Sequence, residues 1–556
     1  MKIVALLLLI AVVAPAGAAV PDVRALSVEE LAGQVFMIAI DTDIANARRD
    51  DIQAGRLGGA LLRWDRFSAE EAREFSKKMH AWSRRSPHKI PFWLSADHEG
   101  GATFTQRRLG VAPFPGNMAF GAADSAAFAH DAAKSAARAL RSAGVQIDFA
   151  PALDVNSNPL NPIIGVRSFG EDPARVARLG RAAVLGYREG GVIATIKHFP
   201  GHGDTSDDSH LGLPVSTKTL EELEATELVP FRAAIAAGSD AVMPAHMVFP
   251  ALGAQADQPV TLSSAVIDGF LRGRLGFKGL VFSDSLDMGA IVKVYSSSQA
   301  AVSALLAGND VLLLGKGDYP SSYAAVVEAV NGGRLPRARL EAAVTRILRA
   351  KKKLGLFGGA WLPPTLSKKE ARAALSLAKR SAQAAVTVAR NDGTIPLKLL
   401  PERTLGLAIF RSARFNDETQ RFAAEIVKRH PRTDVVDFAS VAPSTAAVDA
   451  AVARLSSASV VIVGTYQFGP SPLDAQARML SALTAGGVPV VALSLMNPYD
   501  LAISTGARAN ICAYGMTDSS LAAAVRILFG EIRPSGRLPV SVPGGASRGA
   551  GVTQSR

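Results

Sequence analysis

Eight short apolar segments recur through the first 315 residues, at 34–40, 59–63, 91–96, 145–153, 192–198, 241–246, 279–283 and 310–314. Ala-rich stretches of helix-forming composition run between them, as at 124–142 and 174–189. Strand alternating with helix implies a parallel sheet, because each strand is regained through a crossover. Eight such repeats suffice to close the sheet on itself. The pattern therefore predicts an α/β fold that opens with a (β/α)8 TIM-type barrel over residues 25–355. The polar residues agree: Asp97, Asp154, His198, His246 and Asp284 all fall at or just past the C-terminal ends of segments, where barrel sites are built.

At 556 residues the chain is too long for one ordinary core. Leu354-Gly355-Leu356-Phe357-Gly358-Gly359 and Pro363-Pro364 mark a linker at 356–375. A helix over 368–389 and apolar strands at 405–410, 433–438, 459–464 and 488–495 then predict a smaller α/β sandwich over 376–545. The Gly/Ser-rich end, 546–556, reads as a mobile tail. At the other end, Met1-Lys2, an apolar run and Ala16-Gly17-Ala18-Ala19 have the layout of a signal peptide over 1–19, so export to the periplasm or the medium is expected. That run is short for a bilayer span, and no other segment suggests one, so no membrane span is expected in the mature protein. Cys512 is the single cysteine, which excludes an internal disulfide. The net charge of +12 is spread along the chain without a basic stripe or nucleic-acid module, so no nucleic-acid partner is expected.

The densest chemistry lies at 197–210, Lys-His-Phe-Pro-Gly-His-Gly-Asp-Thr-Ser-Asp-Asp-Ser-His. Pro200 and two glycines forbid a helix and leave a loop rich in titratable groups at a strand end. Asp208 and His210 are two apart, so in extended backbone both side chains share one side while Asp207 points away. A carboxylate that accepts one ring N–H fixes the imidazole tautomer and supports imidazolium, which frees the other nitrogen for acid–base work. A surface-turn hydrogen bond is the bland alternative. A metal centre is the third reading of His198, His202 and His210, but their irregular spacing around Pro200 does not suit zinc, and no metal is expected.

KHFPGHG, four residues and then D-S-H resembles the signature of the β-N-acetylglucosaminidases of glycoside hydrolase family 3. SADHEGG (95–101), FPGNMAFG (114–121), APALDVNSNPLNPIIGVRSFGEDP (150–173) and FSDSLDMGAI (282–291) resemble that family too, in the family's order. VTVARNDGTIPLK (386–398) resembles the start of the second domain in its two-domain members. The resemblance implies that Asp284 is the covalent nucleophile and His210, oriented by Asp208, the acid/base. It implies a hydroxyl-binding role for Asp97 in D-x-E-G-G, for Lys197 and His198, and for the cationic fork of Arg167. Asp287 is the competing carboxylate, read as a brace of the turn. Glu99 reads either as a ligand or as a structural group bonding backbone at Gly100-Gly101, and Asp154 as a braced residue of the barrel top. The family's binding Arg after D-x-E-G-G is displaced here by about two residues; Arg107 is the candidate, with Arg108 beside it.

The resemblance implies an exo-acting, retaining β-N-acetylglucosaminidase without a cofactor. Its carbohydrate substrate would be terminal β-linked N-acetylglucosamine on peptidoglycan fragments or chito-oligosaccharides. Rival readings are a β-glucosidase or β-xylosidase of the same family, a family phosphorylase, and an inactive glycan-binding protein. The second domain shows no equally sharp site and reads as a structural partner that walls the pocket.

Overall fold

The structure, a computed structural model, describes residues 19–208, 212–358, 361–469 and 472–552. The expected leader, apart from Ala19, lies outside them. All eight apolar segments contain a strand: β1 (Phe36–Ile40), β2 (Gly59–Leu62), β3 (Trp93–Ala96), β4 (Ile147–Asp148), β5 (Ile193–Phe199), β6 (Ala241–Pro244), β7 (Leu280–Val281) and β8 (Leu312–Leu313). They pair in parallel in the order β7-β6-β5-β4-β3-β2-β1-β8. A parallel bridge between Phe282 and Val311 joins the two ends, so the sheet closes.

The strands are shorter than the apolar runs because side chains replace ladder partners around the rim. Gln146 Oε1 accepts the Leu94 N–H, Asp310 Oδ2 the Val281 N–H, and Ser283 Oγ the Leu313 N–H. Trp93, Phe149 and Phe282 fill the barrel beneath the mouth, with Phe149 and Phe282 edge to face at 5.5 Å. Outside, helix Ala126–Ser142 lays an alanine face against helix Pro173–Gly190. The approach is so close that a Cβ at Gly186 would collide with the His130 carbonyl.

The second sheet runs β11-β10-β12-β13-β14-β9, built from β9 (Thr387–Asn391), β10 (Leu405–Phe410), β11 (Thr433–Phe438), β12 (Val460–Thr465), β13 (Val490–Ser494) and β14 (Ala509–Cys512). Five strands are parallel and β9 is antiparallel to β14. The helix expected to 389 ends at Ala385 instead, since Val386-Thr387-Val388 favours a strand. It starts inside the expected linker, fixed by a Ser367–Glu370 capping box. Cys512 is buried in β14.

Residues 546–552, within the expected mobile tail, hold contacts to the rest of the chain. The Leu538 N–H donates to the Ala550 carbonyl, the Val552 N–H donates to the Val388 carbonyl, and Arg548 pairs with Asp172. Among the described residues no helix is long and apolar enough to cross a membrane.

Candidate active site

The C-terminal ends of the barrel strands surround a cavity of about 490 Å³, a usual size for a small-molecule site. Asp97, Arg167, Lys197, His198 and Asp284 all line it, as do His202, Asp287 and Lys316. Asp97 follows β3 directly, Lys197 and His198 lie at the C-terminal end of β5, and Asp284 stands just past β7.

A buried ionic network forms one end. Glu99 accepts a bidentate fork from Arg167, with both N···O distances 2.8 Å, and a third contact from Lys197 Nζ at 2.7 Å. Glu99 therefore binds two cations rather than backbone at Gly100-Gly101. Burial alone would raise its carboxyl, but Arg167 and Lys197 outweigh that and hold it at about 2. Lys197 also reaches Asp97 Oδ1 at 3.2 Å. Burial raises Asp97, the Glu99 and Asp284 charges add to it, and Lys197 offsets only part. This pairing leaves Asp97 half-buried with a face toward the cavity, able to accept from hydroxyls.

His198 Nε2 lies 3.1 Å from Arg167 Nη2. A guanidinium only donates, so this nitrogen accepts and the proton sits on Nδ1, which faces Asp154 Oδ2 at 2.8 Å. Asp154 is fully buried and also accepts the His202 N–H at 2.7 Å, so it braces the barrel top. Burial, with His198 beside it, depresses His202 to about 4, which keeps it neutral near pH 7. Among the described residues no three His, Cys, Asp or Glu side chains are arranged to hold a metal.

Asp284 accepts the Ser285 N–H at 2.7 Å. Burial would raise its carboxyl, but the facing His246 and His198 rings, the Ser285 N–H and Lys197 together hold it below the usual range. It is an ionised carboxylate on the cavity wall, able to act as a nucleophile or to stabilise positive charge. His246 is fixed by Thr261 Oγ1 at 2.8 Å and the Ser285 carbonyl at 2.9 Å. Asp287 accepts from Ser285 Oγ and, at 2.7 Å, from the Lys316 N–H, so it does brace the turn.

Two expected residues stand elsewhere. Arg107 does not line the cavity: it pairs with Glu418 of the second domain at 3.1 Å and lies over the Phe415 ring. Arg108 is exposed and donates to the Asp65 carbonyl. The loop turns between these arginines and Phe104, whose ring does enter the cavity. Asp208 is half-buried, its carbonyl accepting the Gly212 N–H, and it is not part of the cavity wall; His210 lies outside the described residues. Trp64, Phe104 and Lys316 line the cavity without having been singled out in the sequence. Their signal was position: Trp64 follows β2 and Lys316 follows β8, as Asp97 follows β3.

Glu99→Gln is expected to lower folding stability by about 3–5 kcal/mol, because Arg167 and Lys197 would be left buried without their shared anion. The Glu99 carboxyl is depressed from 4.5 to about 2, so its contribution is full above about pH 4.5 and is lost as pH falls toward 2. Urea unfolding of both proteins at pH 7 and pH 3 reads this as a gap that narrows in acid.

Residues 27–350 match the family model described as Glycosyl hydrolase family 3 N terminal domain, and residues 290–554 the one described as Glycosyl hydrolase family 3 C-terminal domain. Beta-hexosaminidase A of Pseudoalteromonas piscicida is 32% identical over 369 residues, 62% of this chain and 61% of that protein. A beta-hexosaminidase of Xanthomonas oryzae pv. oryzae is 36% identical over 310 residues, 54% of this chain and 87% of that protein. The chain thus spans about three-fifths of the first relative and most of the second. Among solved structures, a glycoside hydrolase family 3 beta-N-acetylglucosaminidase from Paenibacillus sp. str. FPU-7 superimposes with a TM-score of 0.85 at 33% identity, covering 94% of this chain and 100% of that one.

Proposed function

Since the chain belongs to glycosyl hydrolase family 3, we propose that it is an exo-acting, retaining β-N-acetylglucosaminidase. The observation that carries this reading is an ionised Asp284 sharing one cavity with the buried Asp97–Lys197–Glu99–Arg167 network. The network is a set of hydroxyl-binding groups with no room behind it, since the Glu99 and Lys197 side chains are only 1% and 4% exposed. A glycan enters such a pocket by its terminal sugar, which supports exo action.

The Asp284 carboxylate attacks the anomeric carbon while the His210 imidazolium, oriented by Asp208, protonates the departing oxygen. The glycosidic C–O bond breaks and a β-linked sugar becomes an α-glycosyl ester on Asp284. The imidazole, now neutral, takes a proton from water, which attacks the same carbon and releases Asp284. Two inversions return the β configuration. Asp284 stays ionised because its surroundings favour the charged form, as a nucleophile requires.

A cation on the cavity wall favours a substrate that carries an anionic group beside the scissile bond. Arg167 and Lys197 are committed to carboxylates, whereas Lys316 lines the cavity with no ion pair among the described residues. That suits a peptidoglycan fragment, whose neighbouring sugar bears a lactyl carboxylate or, where that is amide-linked, the carboxylates of its peptide, better than a neutral chito-oligosaccharide. Lys316→Ala is expected to lower kcat/KM by about two- to five-fold on a substrate with a carboxylated leaving group, the range of an exposed ion pair. Rates on the neutral 4-nitrophenyl substrate should not change. The leader-like residues 1–19 make an exported protein part of the proposal, tested by N-terminal sequencing of the periplasmic or secreted form.

The activity is tested with 4-nitrophenyl N-acetyl-β-glucosaminide, the matching glucoside and xyloside, and phosphate in the buffer. Release from the N-acetyl substrate as free sugar supports the proposal. Release from the glucoside or xyloside alone, sugar 1-phosphate as product, or binding without turnover would each replace it with a rival.

A further inference from the structure

Two loops bring Phe104 and Arg167 into the cavity, and both are pinned by the second domain. Val166 packs its side chain into that domain's hydrophobic core, while the next residue, Arg167, turns into the cavity. The Val166 N–H donates to Asn497 Oδ1 at 2.7 Å. A Cβ at Gly165, where φ is +44°, would collide with the Asn497 side-chain amide, so glycine lets that amide reach the Gly165–Val166 backbone. Asn156 completes the clasp: its Oδ1 accepts the Gly165 N–H at 2.9 Å, and its Nδ2 reaches Tyr499 Oη at 2.5 Å. Asn497 is itself fixed, its N–H donating to Gln467 and its carbonyl accepting from Ser494 Oγ.

The other loop is held in the same way. Ala102 joins the second domain's core, and Arg107 pairs with Glu418. Between these pins Phe104 has φ +22°, a sparsely populated conformation that persists only where its surroundings dictate it. Its ring lies 4.3 Å from the Arg167 guanidinium carbon, so the two pinned loops close on each other.

We infer that the second domain is a clamp on the sugar pocket, with Asn497 and Glu418 as positioning residues that set Arg167 and Phe104. Neither touches the reacting atoms. They act through the Arg167–Glu99–Lys197 network, where a misplacement of about 1 Å can cost up to about 100-fold in rate. The inference rests on the proposed activity for its kinetic readout, and on amide exchange for a readout without it.

The test uses full-length Asn497→Ala, Asn497→Asp and Glu418→Gln. Asp keeps the oxygen that accepts the Val166 N–H, and Gln keeps the shape of Glu418 without its charge. Asn497→Ala is expected to raise KM for 4-nitrophenyl N-acetyl-β-glucosaminide about tenfold, with kcat falling less than about threefold. Glu418→Gln should raise KM several-fold, and Asn497→Asp should recover most of the loss. Hydrogen exchange in Asn497→Ala should quicken at 163–169 and not in β12 or β13. Wild-type KM in both Asn497→Ala and Glu418→Gln, whatever the thermal midpoint, would overturn the clamp. Should the wild-type protein not turn over this substrate, the proposed function fails; the clamp is then supported by quickened exchange confined to 163–169 and overturned by unchanged exchange.

Discussion

Asp284→Asn is expected to lower kcat on 4-nitrophenyl N-acetyl-β-glucosaminide by on the order of 10⁴, with the protein still folded. The amide keeps an oxygen for the Ser285 N–H but cannot displace the leaving group. The leaving group of this substrate needs no protonation, so the loss reports the nucleophile rather than the general acid. Asp287→Asn is the control. Its carboxylate is spent on Ser285 Oγ and the Lys316 N–H, so its removal loosens the lip of the pocket and should cost far less. Initial rates with circular dichroism separate the two. Equal losses would mean that the brace and the nucleophile had been confused.

Removing the dyad should produce an effect of nearly the same size, but one that depends on the leaving group. His210→Ala is expected to cost roughly 10²–10⁴-fold on a disaccharide, whose departing alkoxide needs a proton. On the nitrophenyl substrate the first step should be nearly spared and the second slowed, since water then lacks its base. A burst of nitrophenol followed by a slow steady rate is the expected trace. Asp208→Asn should resemble it more mildly, because the imidazole keeps its place but loses the charge that supports its proton. A uniform loss on both substrates would point to a structural role for the loop.

The barrel was legible because its signal is repeated eight times, and because polar residues at strand ends stand out against apolar runs. Asp97, Lys197, His198 and Asp284 were found that way and do share one cavity. Asp287 and Asp154 also serve as the braces they resembled. What depends on direction in space was not legible. Arg107 lies in the same short loop as Phe104, yet its side chain leaves toward Glu418, and nothing in the local sequence tells which way such a loop faces. Glu99 stayed open between a ligand and a turn residue because its two cations come from Arg167 and Lys197, far along the chain. The clasp of Gly165 and Val166 on Asn497 joins positions more than 300 residues apart, and no periodicity announces it. In the second domain, the alanine run before Val386 hid β9, since helix propensity extends past the point where β-branched residues take over.

The inferred clamp gives the second domain a part in the chemistry through positioning residues. The barrel supplies the carboxylates and cations, and the docked sheet decides where two of the loops bearing them come to rest. The division explains why Arg167 can be buried with a full set of partners and still line the cavity: its neighbour Val166 carries the attachment.

The central claim, double displacement on a terminal N-acetylglucosamine, is tested most directly by following hydrolysis of 4-nitrophenyl N-acetyl-β-glucosaminide by ¹H NMR in the first minutes. The account predicts that the β-anomer of N-acetylglucosamine appears first and the α-anomer only as it equilibrates. An α-anomer released first would mean a single inversion, with Asp284 activating water rather than attacking carbon, and would contradict it.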